Sequence, residues 1–275
     1  MRIHSISRVL VIPIVILLLI ILYLGWSNNE NISAYILVPA LLVVVVYVFH
    51  GPLDHWWLEK FPVPFDDKLR EWLTSYFPAY KKMDDPSQKK FEYRLGLYLG
   101  GRLFESVGSE RRQVPEDIKC MIAAHGIHMN MGFEDYLIGD FDRIYLYKHP
   151  FPSPEHQFLH SVETNTEDGV FILSLEQLAN SIMQPDVYFN IAYYAYAEAF
   201  VSLHPKEIYP DCNSYDNIVA MMTGWSNESF RKQTGFQDVS SLYVHISLFF
   251  SKPDLYSKYL PEMHVRFSQI FNLAN

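Results

Sequence analysis

The sequence predicts an α+β protein, mostly helical with a small sheet near its middle, preceded by a two-helix transmembrane hairpin. Three observations carry that expectation. Two long uncharged apolar runs lie within the first fifty residues. From residue 66 onward the apolar residues recur at helical spacing. Two short segments rich in β-branched and aromatic residues interrupt that spacing near the centre of the chain.

The first run, "VLVIPIVILLLIILYLGW" (9–26), is eighteen residues long. As a helix it extends about 27 Å, close to the thickness of a bilayer's hydrocarbon core. Pro13 sits near one end, where a kink is tolerable. The polar stretch "SNNENIS" separates it from a second run, "AYILVPALLVVVVYVF" (34–49), bounded by Tyr35 and the Trp56-Trp57 pair. Aromatics at both ends are the usual interfacial anchors. A signal peptide with Arg2 and Arg8 as its basic head is the rival reading. Against it, the first run lacks a small-x-small cleavage site and a second run follows. Arg2 and Arg8 precede the hairpin, Lys60, Lys68 and Arg70 follow it, and the connecting loop holds no Lys or Arg. The positive-inside rule then places both ends in the cytoplasm, an inner (cytoplasmic) membrane location with the soluble domain facing the cytoplasm. Neither span carries a charge, so the hairpin reads as an anchor and not as a transport path. Asn31-Ile32-Ser33 matches a glycosylation acceptor, a pattern too common and too close to the membrane to weigh.

Beyond the hairpin, "DDKLREWLTSYF" (66–77) places Leu69, Trp72, Leu73 and Phe77 on one helical stripe. A second helix is expected over 84–107, with Asp85 or Ser87 as cap and Pro86 in its first turn, and a third over 114–133, opened by Pro115, Glu116 and Asp117. "DRIYLYKH" (142–149) and "DGVFILS" (168–174) read as strands. Further helices are expected at 175–182, 186–203, 214–223, 238–251 and 261–272. The domain boundaries that follow are a hairpin over 1–50, a juxtamembrane helical connector over 51–83 and a folded domain over 84–275.

Composition excludes several classes. A formal net charge of −9 argues against nucleic-acid binding, which needs a clustered basic face. Cys120 and Cys212 show neither metal spacing nor a disulfide framework, which fits a reducing compartment. No G-x-S-x-G elbow, P-loop or dinucleotide glycine pattern occurs.

The informative stretch is "NIAYYAYAEAF" (190–200). Zinc peptidases place two histidines at i and i+4 on one helix face, with a glutamate at i+1 that activates the metal-bound water. Together with "ILSLEQLANSIMQPDVYF" before it, this stretch resembles the Mlc titration factor A family of zinc-dependent peptidases, whose helix reads roughly N-x-x-x-H-E-F-A-H. "VPEDIKCMIAAHGIHMNMGF" and "FDRIYLYKHPF" upstream, and "LYVHISLFFSKPDLYSKYLPEMHVRFSQIFN" downstream, are similar to the family's flanking segments. The resemblance covers residues 88–272 and consists mainly of scaffold positions. It implies a zincin-like metallopeptidase fold for 84–275.

The family's chemistry does not carry over. Tyr194 falls at the first histidine, Ala195 at the catalytic glutamate and Glu198 at the second histidine. The family's remaining acidic ligand falls on Ser240 or Ser247. Of three ligands and one base, only Glu198, expected to be an exposed carboxylate, is of a type suited to zinc. Tyr194 would first have to lose a phenolic proton whose ordinary pKa is about 10. "HQFLH" (156–160) has histidine spacing but Gln157 where a base belongs, and Pro150, Pro152 and Pro154 precede it, so a solvated loop is expected. His125 and His128, an i,i+3 pair on an apolar helix, read as satisfied core or interfacial histidines, the tyrosines of 188–196 as packing, and His204 as a helix-end residue suited to the macrodipole.

The expectation is thus a membrane-anchored pseudopeptidase without metal or other cofactor. Its vestigial cleft would take a protein or peptide partner in a regulatory role. One alternative is an active zinc peptidase with reassigned ligands, drawing on Glu198, His156, His160 or His204. The other is a structural subunit of a membrane complex.

Overall fold

A computed structural model describes residues 6–28, 33–62, 64–108, 113–154, 156–212, 215–237 and 239–273. Arg2 of the charge argument and Asn31 of the acceptor triplet lie outside these residues. The chain divides into two compact units, Met1–Pro64 and Phe65–Asn275.

The first unit holds α1 (Ile6–Asn28), α2 (Ser33–Val48) and α3 (His50–Lys60). Within α1, the segment Ile6–Trp26 is long and apolar enough to cross a membrane. Its first turn is held by Asp54, whose carboxylate accepts from the Ser7 amide at 2.8 Å and the Ser7 hydroxyl at 2.9 Å. An anion at the positive end of a helix is favourably placed. The expected second span coincides with α2, but α2 has only sixteen residues, about 24 Å of helix. A bend of 68° then leads into α3, and α2 and α3 reach spanning length only if taken together.

The second unit contains α4 (Asp67–Tyr76), α5 (Pro78–Lys82), α6 (Asp85–Gly101), β1 (Leu103–Ser106), α7 (Glu116–Met129), β2 (Arg143–Tyr147), β3 (Val162–Asn165), β4 (Val170–Ser174), α8 (Leu175–Met183), α9 (Ile191–Leu203), α10 (Tyr215–Thr223), α11 (Asn227–Thr234), α12 (Ser241–Ser251), α13 (Pro253–Tyr259) and α14 (Pro261–Ile270). The division after Pro64 falls within 51–83, the segment expected as a helical connector. Leu73, Phe77 and Tyr80 of the α4–α5 segment are buried in the core of this unit, because the apolar stripe of 66–77 needs a partner surface to cover it.

The sheet has order β1-β2-β4-β3. β1, β2 and β4 run parallel, and β3 pairs antiparallel with β4 from one edge. β2 and β4 are the two expected strands. The helix expected over 84–107 stops at Gly101, and the following Leu103–Ser106 pairs with β2 instead. Gly169 closes the β3–β4 turn at φ +64°, and a side chain there would meet the Asp140 carbonyl oxygen at 2.2 Å. That conformation and that approach both require glycine.

α9 is the axis of the domain, packed against α7, α8, α12, β3 and β4. From Ile191 to Phe200 every residue except Glu198 is buried, the pattern of a helix enclosed on all sides. The helix starts more than a turn later than the expected 186: Asn190 caps it, accepting from the Tyr193 amide at 3.1 Å. α7 approaches α9 closely at Gly126, where an added Cβ would lie 2.7 Å from the Tyr196 ring. The Tyr196 hydroxyl in turn meets that of Tyr98 on α6 at 3.0 Å. The guanidinium of Arg94, also on α6, donates to the carbonyls of Asn130, Met131 and Phe133, closing the C-terminal end of α7.

Candidate functional site

Two faces of α9 carry chemistry, and Asn190 holds the helix in place for both. Nδ1 of His125 lies 2.7 Å from the Met121 carbonyl. A carbonyl only accepts, so Nδ1 carries the proton and Nε2 is an acceptor. Asn190 fills that need with an N–H donated at 3.0 Å. The Asn190 carbonyl accepts from the Ser247 hydroxyl, also at 3.0 Å. One residue therefore ties the start of α9 to α7 and α12. Ser247, one of the two serines aligned with an acidic ligand, is spent on this tie. Ser240, the other, stands at the N-cap position of α12.

The first face carries the positions that the resemblance makes catalytic. Tyr194 is buried, stacked on Phe236 at 4.5 Å between ring centroids and edge-on to Tyr243 at 5.7 Å. Ala195 is wholly buried. Glu198 is half-buried against β3 and is not the exposed carboxylate expected. Burial raises its pKa, the Thr164 hydroxyl opposes the rise and the Glu163 carboxylate adds to it. Glu163 is itself paired with His160, Oε2 to Nε2 at 3.0 Å, with the His160 side chain only 3% exposed. This corrects the expectation of a solvated loop. The segment is irregular, as its prolines dictate, but it folds His160 inward, where an isolated bridge pairs Phe151 with His160.

Neither nitrogen of His160 is free for a metal, since Nδ1 faces the Phe158 carbonyl at 3.0 Å. His156 meets His160 edge-on at 5.5 Å between rings. His204 is elsewhere, stacked on Phe200 at 4.1 Å and bonded through Nδ1 to the Phe200 carbonyl. Glu198, His160 and Glu163 are thus gathered in one neighbourhood with His156 beside them, and His204 is not. Two of the gathered groups are carboxylates facing each other, and the imidazole between them and His156 is fully engaged. Among the described residues, no group of three His, Cys, Asp or Glu side chains is arranged to hold a metal ion. This set does not fit zinc, which needs about three convergent ligands and an open position.

The second face is open. Beside Tyr193 lies a pocket of about 820 Å³, walled by Phe77, Tyr188, Tyr193, Trp225 and Phe250 and floored by His125 and His128. His128 Nδ1 and the Tyr193 hydroxyl meet at 2.7 Å. Burial pushes the His125 pKa down to about 4 and that of His128 down to about 3, the latter aided by His125. Burial also raises the Tyr193 phenol, so the floor is uncharged at neutral pH. The rim carries two ion pairs, Lys252 with Asp186 and Lys82 with Asp254, each at 2.9 Å. Reading the sequence finds His125 and His128 but not the pocket, because its walls come from segments scattered between Tyr76 and Leu273.

No protein-family model matches the chain, and no curated protein matches it.

Proposed function

We propose that the chain is a membrane-anchored pseudopeptidase of the Mlc titration factor A type, one that keeps a zincin-like scaffold and binds a protein or peptide without cleaving it. The observation that carries this reading is the state of Tyr194 and Ala195 on α9. An aromatic ring packed between Phe236 and Tyr243 occupies the first ligand position. A fully buried methyl group occupies the position of the base. Neither deprotonates a water at neutral pH. Binding is supported by β3, an edge strand with one neighbour that lies against α9. An extended segment can add to such an edge through backbone hydrogen bonds. Anchoring is supported by α1, and a two-helix hairpin by α2 continuing through the bend into α3. The domain then faces the cytoplasm of an inner-membrane protein, by the charge bias of the sequence.

The test is the zinc content of the purified full chain after exchange into metal-free buffer. Less than about a tenth of an equivalent is expected, far below the full occupancy of a catalytic site. One tightly held equivalent, lost on Glu198→Ala or His160→Ala, overturns the reading in favour of a peptidase with reassigned ligands.

A further inference from the structure

We propose that the pocket beside Tyr193 binds a single-chain amphiphile with a carboxylate head, a free fatty acid, with the chain along the aromatic wall and the head on Lys252. The volume, about 820 Å³, lies in the range of dedicated small-ligand sites.

The interior asks for hydrocarbon. Besides the phenols of Tyr76, Tyr188 and Tyr193, four aliphatic hydroxyls line it, those of Ser181, Thr223, Ser251 and Ser268. Each is turned back onto a carbonyl of its own helix, at 2.6 to 2.9 Å. His125 and Asn190 satisfy each other, and His128 Nδ1 pairs with Tyr193. A peptide laid here would find few free partners for its backbone N–H and C=O groups, and burying such groups unpaired is unfavourable. A methylene chain loses nothing.

The rim supplies the head-group site. Lys252 is only 11% exposed at its side chain, yet its carboxylate partner Asp186 is 94% exposed. A largely buried lysine side chain paired with a solvated carboxylate makes a weak ion pair, so a ligand carboxylate can take the place of Asp186 with little loss. The Lys82–Asp254 pair is exposed on both sides and contributes only a neutral margin. This inference stands on the pocket alone. It survives failure of the pseudopeptidase reading, which the zinc measurement tests separately.

The experiment uses the full chain in phosphatidylcholine nanodiscs, titrated with ω-bromododecanoate, whose bromine quenches tryptophan on contact. Trp225 lines the pocket, and the difference between the parent and Trp225→Phe isolates its signal from that of the other four tryptophans. Saturable, Trp225-dependent quenching is expected. Ala79→Phe, which fills the wall, should abolish it. Lys252→Met should weaken it about tenfold or more, Lys252→Arg should keep it within about threefold, and ω-bromododecanol should bind about tenfold more weakly than the acid, the scale of one charge-assisted hydrogen bond. Because the ion pair of Lys252 is with exposed Asp186, an unchanged thermal midpoint for Lys252→Met checks that the fold is intact. Three results overturn the proposal: equal binding of acid and alcohol, indifference to Lys252→Met, or Trp225 quenching that never saturates. Displacement of the probe by an apolar peptide with a free C-terminus, at higher affinity than dodecanoate, also overturns it and reassigns the pocket to peptide.

Discussion

The side-chain amide of Asn190 donates to Nε2 of His125 at 3.0 Å, while its oxygen accepts the Tyr193 amide. The two bonds use opposite ends of one amide, and only an amide offers a donor and an acceptor on the same fork. That pairing sets the tautomer of a buried imidazole and the starting point of the central helix at once. Asn190→Ala removes a helix cap and orphans a buried ring nitrogen, so a loss of about 2–4 kcal/mol is expected. Asn190→Asp keeps the cap but turns an acceptor toward an acceptor. Its thermal midpoint should fall at neutral pH and partly recover in mild acid, where the new carboxylate favours a second proton on His125.

Placing a glutamate at Ala195, the position the proposed resemblance gives to a base, should not create an enzyme. Ala195 has no exposed surface, and a carboxylate placed there is buried without a partner. Ala195→Glu should cost about 3 kcal/mol or more and yield no peptidase activity. A folded Ala195→Glu variant that cleaves casein would show that the site retains a metal and a substrate groove.

Acid should loosen the domain through the pocket floor. The folded-state pKa values of His125 and His128 are depressed, to about 4 and about 3, from an ordinary 6.5. Groups depressed in this way contribute stability that is complete above 6.5 and is lost as the pH falls through 6.5 toward those values. The thermal midpoint measured from pH 7 to pH 4 should therefore fall. A flat profile would mean that these rings are reached by water.

Glu198 acts with the opposite sign. Its folded-state pKa is raised above the ordinary 4.5, chiefly by burial. Its contribution is favourable below 4.5 and is lost as the pH rises through the raised value, so at neutral pH it opposes folding. Glu198→Gln should raise the thermal midpoint at pH 7 and give no gain below pH 4.5. Equal gains at both pH values would point to packing rather than charge.

Gly126→Ala improves helix propensity yet should destabilise the domain. The new methyl would lie 2.7 Å from the Tyr196 ring and 2.9 Å from Ile138 Cδ1, and overpacking of this kind costs about 1–3 kcal/mol. Chemical denaturation should show the loss, and Tyr196→Leu in the same chain should relieve part of it.

Much of this architecture was legible in local chemistry. The apolar run of α1, the stripe of α4, Pro115 with two acids ahead of α7, and the alternating "RIYLY" of β2 each declare themselves within a few residues. β3 does not, because "VETN" is short and polar and becomes a strand only by pairing with β4. β1 is hidden behind the helix before it, and parallel pairing with a segment some forty residues away decides its state. Among the site residues, the reading of Tyr194 at a histidine position and Ala195 at a glutamate position belongs to the proposed resemblance, and it rests on the local motif alone. The inward turn of His160 could not be read, since its prolines specify irregular backbone without saying which way a side chain faces.

The sequence by itself determined which residues are available: a membrane-length apolar helix, a central helix of tyrosines and alanines with a single glutamate, and a net charge of −9. The tertiary structure decided where those residues meet. It brought His160 and Glu163 to Glu198, sent His204 away from them, filled the face of Tyr194 with aromatic rings, and opened a pocket on the face of Tyr193. The physical reason is range. Periodicity, capping and charge act over a few residues of chain, whereas the cavity is set by segments up to two hundred residues apart, which only packing brings together.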